Sequence, residues 1–177
     1  MEEVQVERRL AAILVADIAG YSRLMAEDEA ATVTAIKGHQ AVVLPMVEAH
    51  GGRIQDTAGD GILAEFRSVL QAVECAMAIH SAFAMYNQEH PTHPMQVRIG
   101  INAGEPILTE GRLFGTAVHM AFRICARAQP GQILISDVVH RLVAGKDFTF
   151  ADRGRVALKG FPGRLRLYEV QWQGRRA

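Results

Sequence analysis

Apolar and polar positions along this chain alternate between strand-like runs and helix-like stripes. Residues 10–17 form a near-continuous apolar, β-capable run, the pattern of a strand buried on both faces. A helical stretch follows over about 29–50. Pro45 lies inside it and predicts a kink or a break, because proline lacks the N–H that an interior turn needs. Gly51 and Gly52 end the helix and open a hairpin with arms at 53–57 and 62–66 and Gly59-Asp60-Gly61 as its turn. Ser68 suits the N-cap of the next helix, which runs through Val73, Ala76, Met77, Ile79, His80 and Phe83. Two short strands, 97–102 and 106–109, flank Gly104, and residues 115–128 read as a helix stopped by Pro130 and Gly131. A strand at 132–135, a short helix capped by Ser136 or Asp137, and a strand at 165–171 complete the pattern. There is no linker, low-complexity tract or tandem repeat, so the expectation is one α/β domain over residues 1–177.

Composition narrows the classes. With 49% hydrophobic and 21% charged residues among 177, the chain can bury a core and is not a disordered segment. Lys+Arg and Asp+Glu balance at 19 each, which speaks against nucleic acid as the partner. Cys75 and Cys125 lie far apart within apolar helical patterns and read as reduced core thiols. The longest apolar run, 10–16, is too short to span a bilayer, and Glu2, Glu3 and Glu7 put acid where a signal peptide needs base. The expectation is a cytoplasmic chain with no membrane segment.

Chemistry concentrates at two carboxylates, Asp17 in LVADIAGYS and Asp60 in TAGDGILAEF. Each follows a β-rich stretch and precedes a glycine-containing turn. Carboxylates at such strand ends can converge on a divalent cation, and hard oxygen ligands suit Mg²⁺ or Mn²⁺. Backbone N–H groups of Ile18, Ala19 and Gly20 are then placed to receive phosphates that accompany the metal. Taken singly, Asp17 reads equally as the end of a strand and Asp60 as an ordinary Asp-Gly turn residue.

Five blocks resemble the catalytic domain of class III nucleotidyl cyclases: ADIAGYS, GGRIQDTAGDGILAEF, VRIGINAGE, FGTAVHMAFRICARAQPGQILIS and ALKGFPGRLRLYEV. They stand in the expected order across roughly residues 8–171, which is far more specific than any single glycine motif. The resemblance implies a ferredoxin-like βαβ core, with a central, mostly antiparallel sheet flanked by helices. It also implies a head-to-tail homodimer with two active sites at its interface. The implied reaction cyclises a nucleoside triphosphate to its 3′,5′-cyclic monophosphate and releases pyrophosphate, with ATP favoured narrowly on family frequency. By the same resemblance Asp17 and Asp60, with the backbone of Ile18, hold two Mg²⁺ or Mn²⁺ ions per site. One ion would help deprotonate the ribose 3′-OH and the other would hold the triphosphate. Arg123 matches a transition-state arginine contributed by the other subunit, and Lys159 in LKG matches a lysine that reaches the terminal phosphates.

Three positions depart from the family pattern. The usual transition-state asparagine is His119, which still shares a helix face with Arg123 four residues on. A neutral imidazole can donate one hydrogen bond to ribose. At the base-reading positions, where adenylyl members usually carry lysine and aspartate or threonine, stand Asp56 and Arg112. A carboxylate at 56 accepts from the adenine amine, or from guanine N1–H and its amine, while Arg112 can donate to guanine O6. GTP is therefore an alternative substrate. A plain Asp56–Arg112 salt bridge is the other reading of the pair. A further alternative is a catalytically degenerate domain that binds nucleotide or serves regulation. His39, His50, His80, His90, His93 and His140 lack metal-ligand spacing, and Met77, Phe83 and Met85 read as core or dimer-interface packing.

Overall fold

The structure, a computed structural model, describes residues 6–57, 59–92 and 94–173. Glu2, Glu3 and His93 lie outside the described residues.

The run at the start of the chain forms β2 (Ala11–Ile18), preceded by the short β1 (Glu7–Arg8). Every residue of β2 is buried except Asp17, which explains why the strand reads as unbroken apolar sequence. Gly20, at φ 73°, turns the chain into α1 (Tyr21–Glu27), and Asp28 then caps α2 (Glu29–Ala49) by accepting from the Ala31 N–H. Of the kink or break expected at Pro45, the break does not occur: α2 continues through it. The hairpin β3 (Arg53–Asp56) and β4 (Ile62–Phe66) follows as expected. Then comes α3 (Val69–Glu89), with Ser68 accepting from the Gln71 N–H at its start. The remainder is β5 (Val97–Gly104), β6 (Ile107–Thr109), β7 (Arg112–Phe114), α4 (Thr116–Arg127), β8 (Ile133–Ser136), α5 (Asp137–Leu142), β9 (Thr149–Val156) and β10 (Leu165–Gln171).

Seven strands form one sheet in the order β3-β4-β2-β5-β8-β10-β9, antiparallel throughout except for the β5–β8 pair. The segment β2-α2-β3-β4-α3-β5, with strand order β3-β4-β2-β5, is the ferredoxin-like βαβ unit that the sequence implied. One sheet face packs Leu14, Ile62, Ile99 and Ile135 against α2, α3 and α5. The other packs Ile13 and Val15 against Val118, Ala121 and Cys125 of α4. Gly100 makes this second layer possible, because a side chain there would collide with the backbone of Cys125.

By length and composition α3 is apolar enough to cross a membrane, yet Val73, Cys75, Ile79 and Phe83 on it are buried in the core. Met77 packs with them, whereas Met85 is 66% exposed and belongs to the surface. Both cysteines are free and buried, and burial pushes the Cys75 thiol up to about 12. The strand expected before Gly104 continues through it as β5, and β6 pairs with β1 and β7 in a separate three-stranded sheet.

Candidate active site

Asp17 reaches the surface because β2 ends there, on the sheet face that α4 covers. Directly opposite it in register is Arg98 of β5. The guanidinium grips the carboxylate with two prongs, Nε to Oδ1 at 2.8 Å and Nη2 to Oδ2 at 2.7 Å. A third guanidinium nitrogen, Nη1, donates to the Ala126 carbonyl near the end of α4 at 3.2 Å. The ion pair in turn raises the Arg98 pKa above its ordinary value.

Asp60 sits in the turn between β3 and β4, where Gly59 takes φ 60°. Its Oδ2 accepts from the Ile18 N–H at 3.1 Å, which ties the turn to the end of β2. Partial burial raises the Asp60 pKa, the Ile18 hydrogen bond opposes that shift, and the nearby Asp17 charge adds to it. Two acidic groups thus share a recess with one guanidinium. Their hard oxygens and residual negative charge fit a divalent cation. Among the described residues no third His, Cys, Asp or Glu joins them, so backbone and substrate oxygens would have to complete the coordination.

The expected phosphate cradle differs in part. The Ile18 N–H is engaged by Asp60 and the Ala19 N–H donates to the Gln96 carbonyl at 2.7 Å. Of the three amides only that of Gly20, at the start of α1, is without a hydrogen bond among the described residues.

The other site residues gather elsewhere. His119 and Arg123 lie one turn apart on α4, opposite the face that buries Val118, Ala121 and Cys125. The exposed His119 ring stands 5.6 Å from the ring of Phe161, which follows Lys159 and Gly160 in the β9–β10 connection. The Arg123 Nε is buried and without a hydrogen-bond partner among the described residues. Lys159 is exposed. Asp56 follows a register shift in β3 that re-aims it, and its Oδ2 lies 3.9 Å from Nη2 of Arg112 on β7. That guanidinium also lies 5.9 Å from the centre of the Phe114 ring. The salt-bridge reading of this pair is thus met, at the long limit and with both side chains largely exposed.

Within one chain the two sets of residues make no direct polar contact: among the described residues no hydrogen bond or ion pair joins Asp17 or Asp60 to His119, Arg123 or Lys159. Arg98 was missed in the sequence. The signal available was a lone charge among the alternating apolar residues Val97, Ile99 and Ile101.

With this geometry in hand, the comparisons are specific. Residues 4–171 match the adenylate and guanylate cyclase catalytic domain. A protein of Rhizobium meliloti (strain 1021) named "Putative adenylate cyclase 3" is 44% identical over 157 residues, 87% of this chain. The chain spans only 27% of that relative's length. A crystal structure of an adenylate/guanylate cyclase/hydrolase from Silicibacter pomeroyi is 37% identical, with a TM-score of 0.86 and coverage of 94% of this chain and 98% of that one. The adenylyl cyclase CyaB from P. aeruginosa superimposes equally well, TM-score 0.86 over 95% of this chain and 96% of its own, and at 22% identity shows the shared fold. The chain belongs to the class III adenylate and guanylate cyclase catalytic domain family.

Proposed function

We propose that this domain converts ATP to 3′,5′-cyclic AMP and pyrophosphate in a site built from two copies of the chain. The observation that carries the proposal is the convergence of Asp17 and Asp60 at the end of β2, tied together through the Ile18 backbone. Two Mg²⁺ or Mn²⁺ ions held by Asp17, Asp60 and the Ile18 backbone would neutralise the triphosphate and acidify the ribose 3′-OH.

The remaining chemistry belongs to side chains. The 3′-oxygen attacks the α-phosphorus, its proton passes to solvent, and the bond to the bridging oxygen breaks to release pyrophosphate. Arg98 forks on a carboxylate here and has the shape to clamp a phosphate instead. Arg123 offers a guanidinium fork, and its buried Nε, unpartnered among the described residues, is a donor that substrate oxygens would satisfy. His119 donates one hydrogen bond to the ribose, and Lys159 meets the terminal phosphates.

The lack of any direct polar contact between the two sets within one chain, among the described residues, supports a homodimer in which Asp17 and Asp60 of one copy face Arg123, His119 and Lys159 of the other. Exposed Phe122 on α4 and Phe114 on β7, at 43% and 46%, supply apolar surface for such an interface. The same reading puts the domain in the cytoplasm, where nucleoside triphosphates are.

ATP is supported by the printed name of the relative that is 44% identical. A second reading, GTP, rests on Asp56 and Arg112, an acceptor and a donor within 3.9 Å of each other. The test is incubation with Mn²⁺ and either ATP or GTP, with cAMP, cGMP and pyrophosphate quantified. Cyclic AMP with pyrophosphate supports the proposal, and cyclic GMP alone moves it to the second reading. No product from either, with nucleotide still bound, would make this a regulatory cyclase-fold domain.

A further inference from the structure

A cavity of about 500 Å³ opens between the N-terminal half of α4, α5 and the start of β10, and it includes none of the site residues above. Its charge is one-sided: Arg141, Arg155, Arg164 and Arg166 line it against a single aspartate, Asp137. The whole chain is balanced at 19 charges of each sign, so this is a local concentration rather than a general basicity.

Two of the arginines are already neutralised, Arg141 by Asp137 at 3.0 Å and Arg166 by Asp152 at 2.6 Å. Arg155 and Arg164 make no hydrogen bond or ion pair among the described residues. Arg155 also stands directly opposite Arg166 across the β9–β10 ladder. Like charges at such positions repel; Asp152 offsets Arg166 but forms no ion pair with Arg155 among the described residues. The rest of the lining is mixed, with Leu165 and the buried Leu167 beside the polar Asn102, Ser136 and Tyr168. Water screens charges less in a partly enclosed cavity than on an open face, so an anion gains more there.

We propose that this cavity is a second anion site that takes a phosphorylated small molecule, distinct from the cyclase centre. Guanidinium forks match phosphate oxygens in shape as well as charge. The volume lies in the range of small-molecule pockets, so it accommodates a phosphate chain with or without a nucleoside.

The test is equilibrium binding of tripolyphosphate, ATP and cAMP to the full chain in EDTA, which suppresses metal-dependent binding at Asp17 and Asp60. An Asp17→Ala variant serves as the background control. The proposal expects at least one probe to bind once per chain, with affinity unaffected by Asp17→Ala. It expects the affinity to fall by roughly tenfold or more in an Arg155→Gln/Arg164→Gln variant. An Arg67→Gln variant, exposed and remote in sequence, controls for net charge. Tripolyphosphate binding as tightly as ATP identifies the phosphate chain as the recognised group, and tighter ATP binding adds the nucleoside. No binding of any probe, affinity unchanged in the double variant, or an equal loss with Arg67→Gln overturns the proposal.

Discussion

Arg98 and Asp17 face each other across β5 and β2 and share a two-pronged ion pair at 2.8 and 2.7 Å. The pair resolves a conflict built into the fold. If Asp17 and Asp60 hold a cation as proposed, their charge is uncompensated whenever the cation is away, and Arg98 supplies a counter-charge to Asp17. Both side chains are largely shielded, 25% and 19% exposed, so the pair is less screened than a surface bridge.

Removing the guanidinium should therefore cost stability in the absence of metal. Arg98→Ala is expected to lower metal-free stability by about 1–3 kcal/mol, the penalty of leaving a shielded group unpaired. Mn²⁺ should then raise the melting temperature of the variant more than that of the wild type, because no guanidinium competes for Asp17. Thermal melts with EDTA and with Mn²⁺ measure both. Equal metal-induced shifts would contradict the counter-charge role.

Asp60 behaves differently, since burial raises its pKa in the folded state. A raised carboxylate pKa stabilises the fold only below the ordinary value, and that contribution is lost as pH rises through the folded-state value. At neutral pH the charged form therefore costs stability, a cost the proposed metal role would explain. Asp60→Asn keeps an oxygen able to accept from the Ile18 N–H. It should leave metal-free stability unchanged or raised, by at most about 1 kcal/mol. Mn²⁺-dependent turnover and the Mn²⁺-induced rise in melting temperature should both disappear. A variant that still responds to Mn²⁺ would remove Asp60 from the metal site.

Acid should weaken the fold through His39. This ring is fully buried against Phe83, neither nitrogen has a hydrogen-bond partner among the described residues, and burial lowers its pKa to about 4. The unfolded chain binds a proton below about 6.5 that the folded chain refuses until about 4. Stability therefore falls as pH drops through that window, and His80, also lowered to about 4, acts in the same direction. His39→Leu should lose about 2 kcal/mol less than wild type between pH 7 and pH 5 in urea unfolding. Identical losses would show that His39 is not the acid-labile group.

Base selection is testable because its candidate pair contributes little to folding. Asp56 and Arg112 are 46% and 65% exposed and 3.9 Å apart, so the bridge contributes at most about 1 kcal/mol. Exchanging them for the adenylyl pattern, Asp56→Lys with Arg112→Asp, should shift kcat/KM toward ATP over GTP by about tenfold or more. An unchanged ratio would leave the pair as a surface salt bridge.

Much of this was legible in the sequence, and the reasons differ by element. β2 was clear because burial on both faces forces an uninterrupted apolar run, and β10 matched its expected range in full. Asp17 and Asp60 stood out because each interrupts apolar sequence ahead of a glycine-containing turn, and the structure brings them together through the Ile18 backbone. β9 was missed because, at the sheet edge, it needs little apolar sequence. β1 and β7 are too short to show a period, and α1 buries no residue. Pro45 does not end α2, because a long helix can lose one hydrogen bond when neighbours such as Val43 and Val47 are fully buried. Arg98 was hidden because its meaning depends on the register that sets it opposite Asp17, and single-strand patterns do not carry register.

The central claim is that one chain holds two incomplete half-sites, and mixing two inactive variants tests it most directly. Asp17→Ala destroys one half and Arg123→Ala the other, so each homodimer should be nearly inactive. In a mixture with demonstrated subunit exchange, each mixed dimer regains one intact site. Activity should then return to roughly a quarter of the wild-type rate, because random pairing makes half the dimers mixed. A mixture that exchanges subunits yet stays inactive would contradict the shared site.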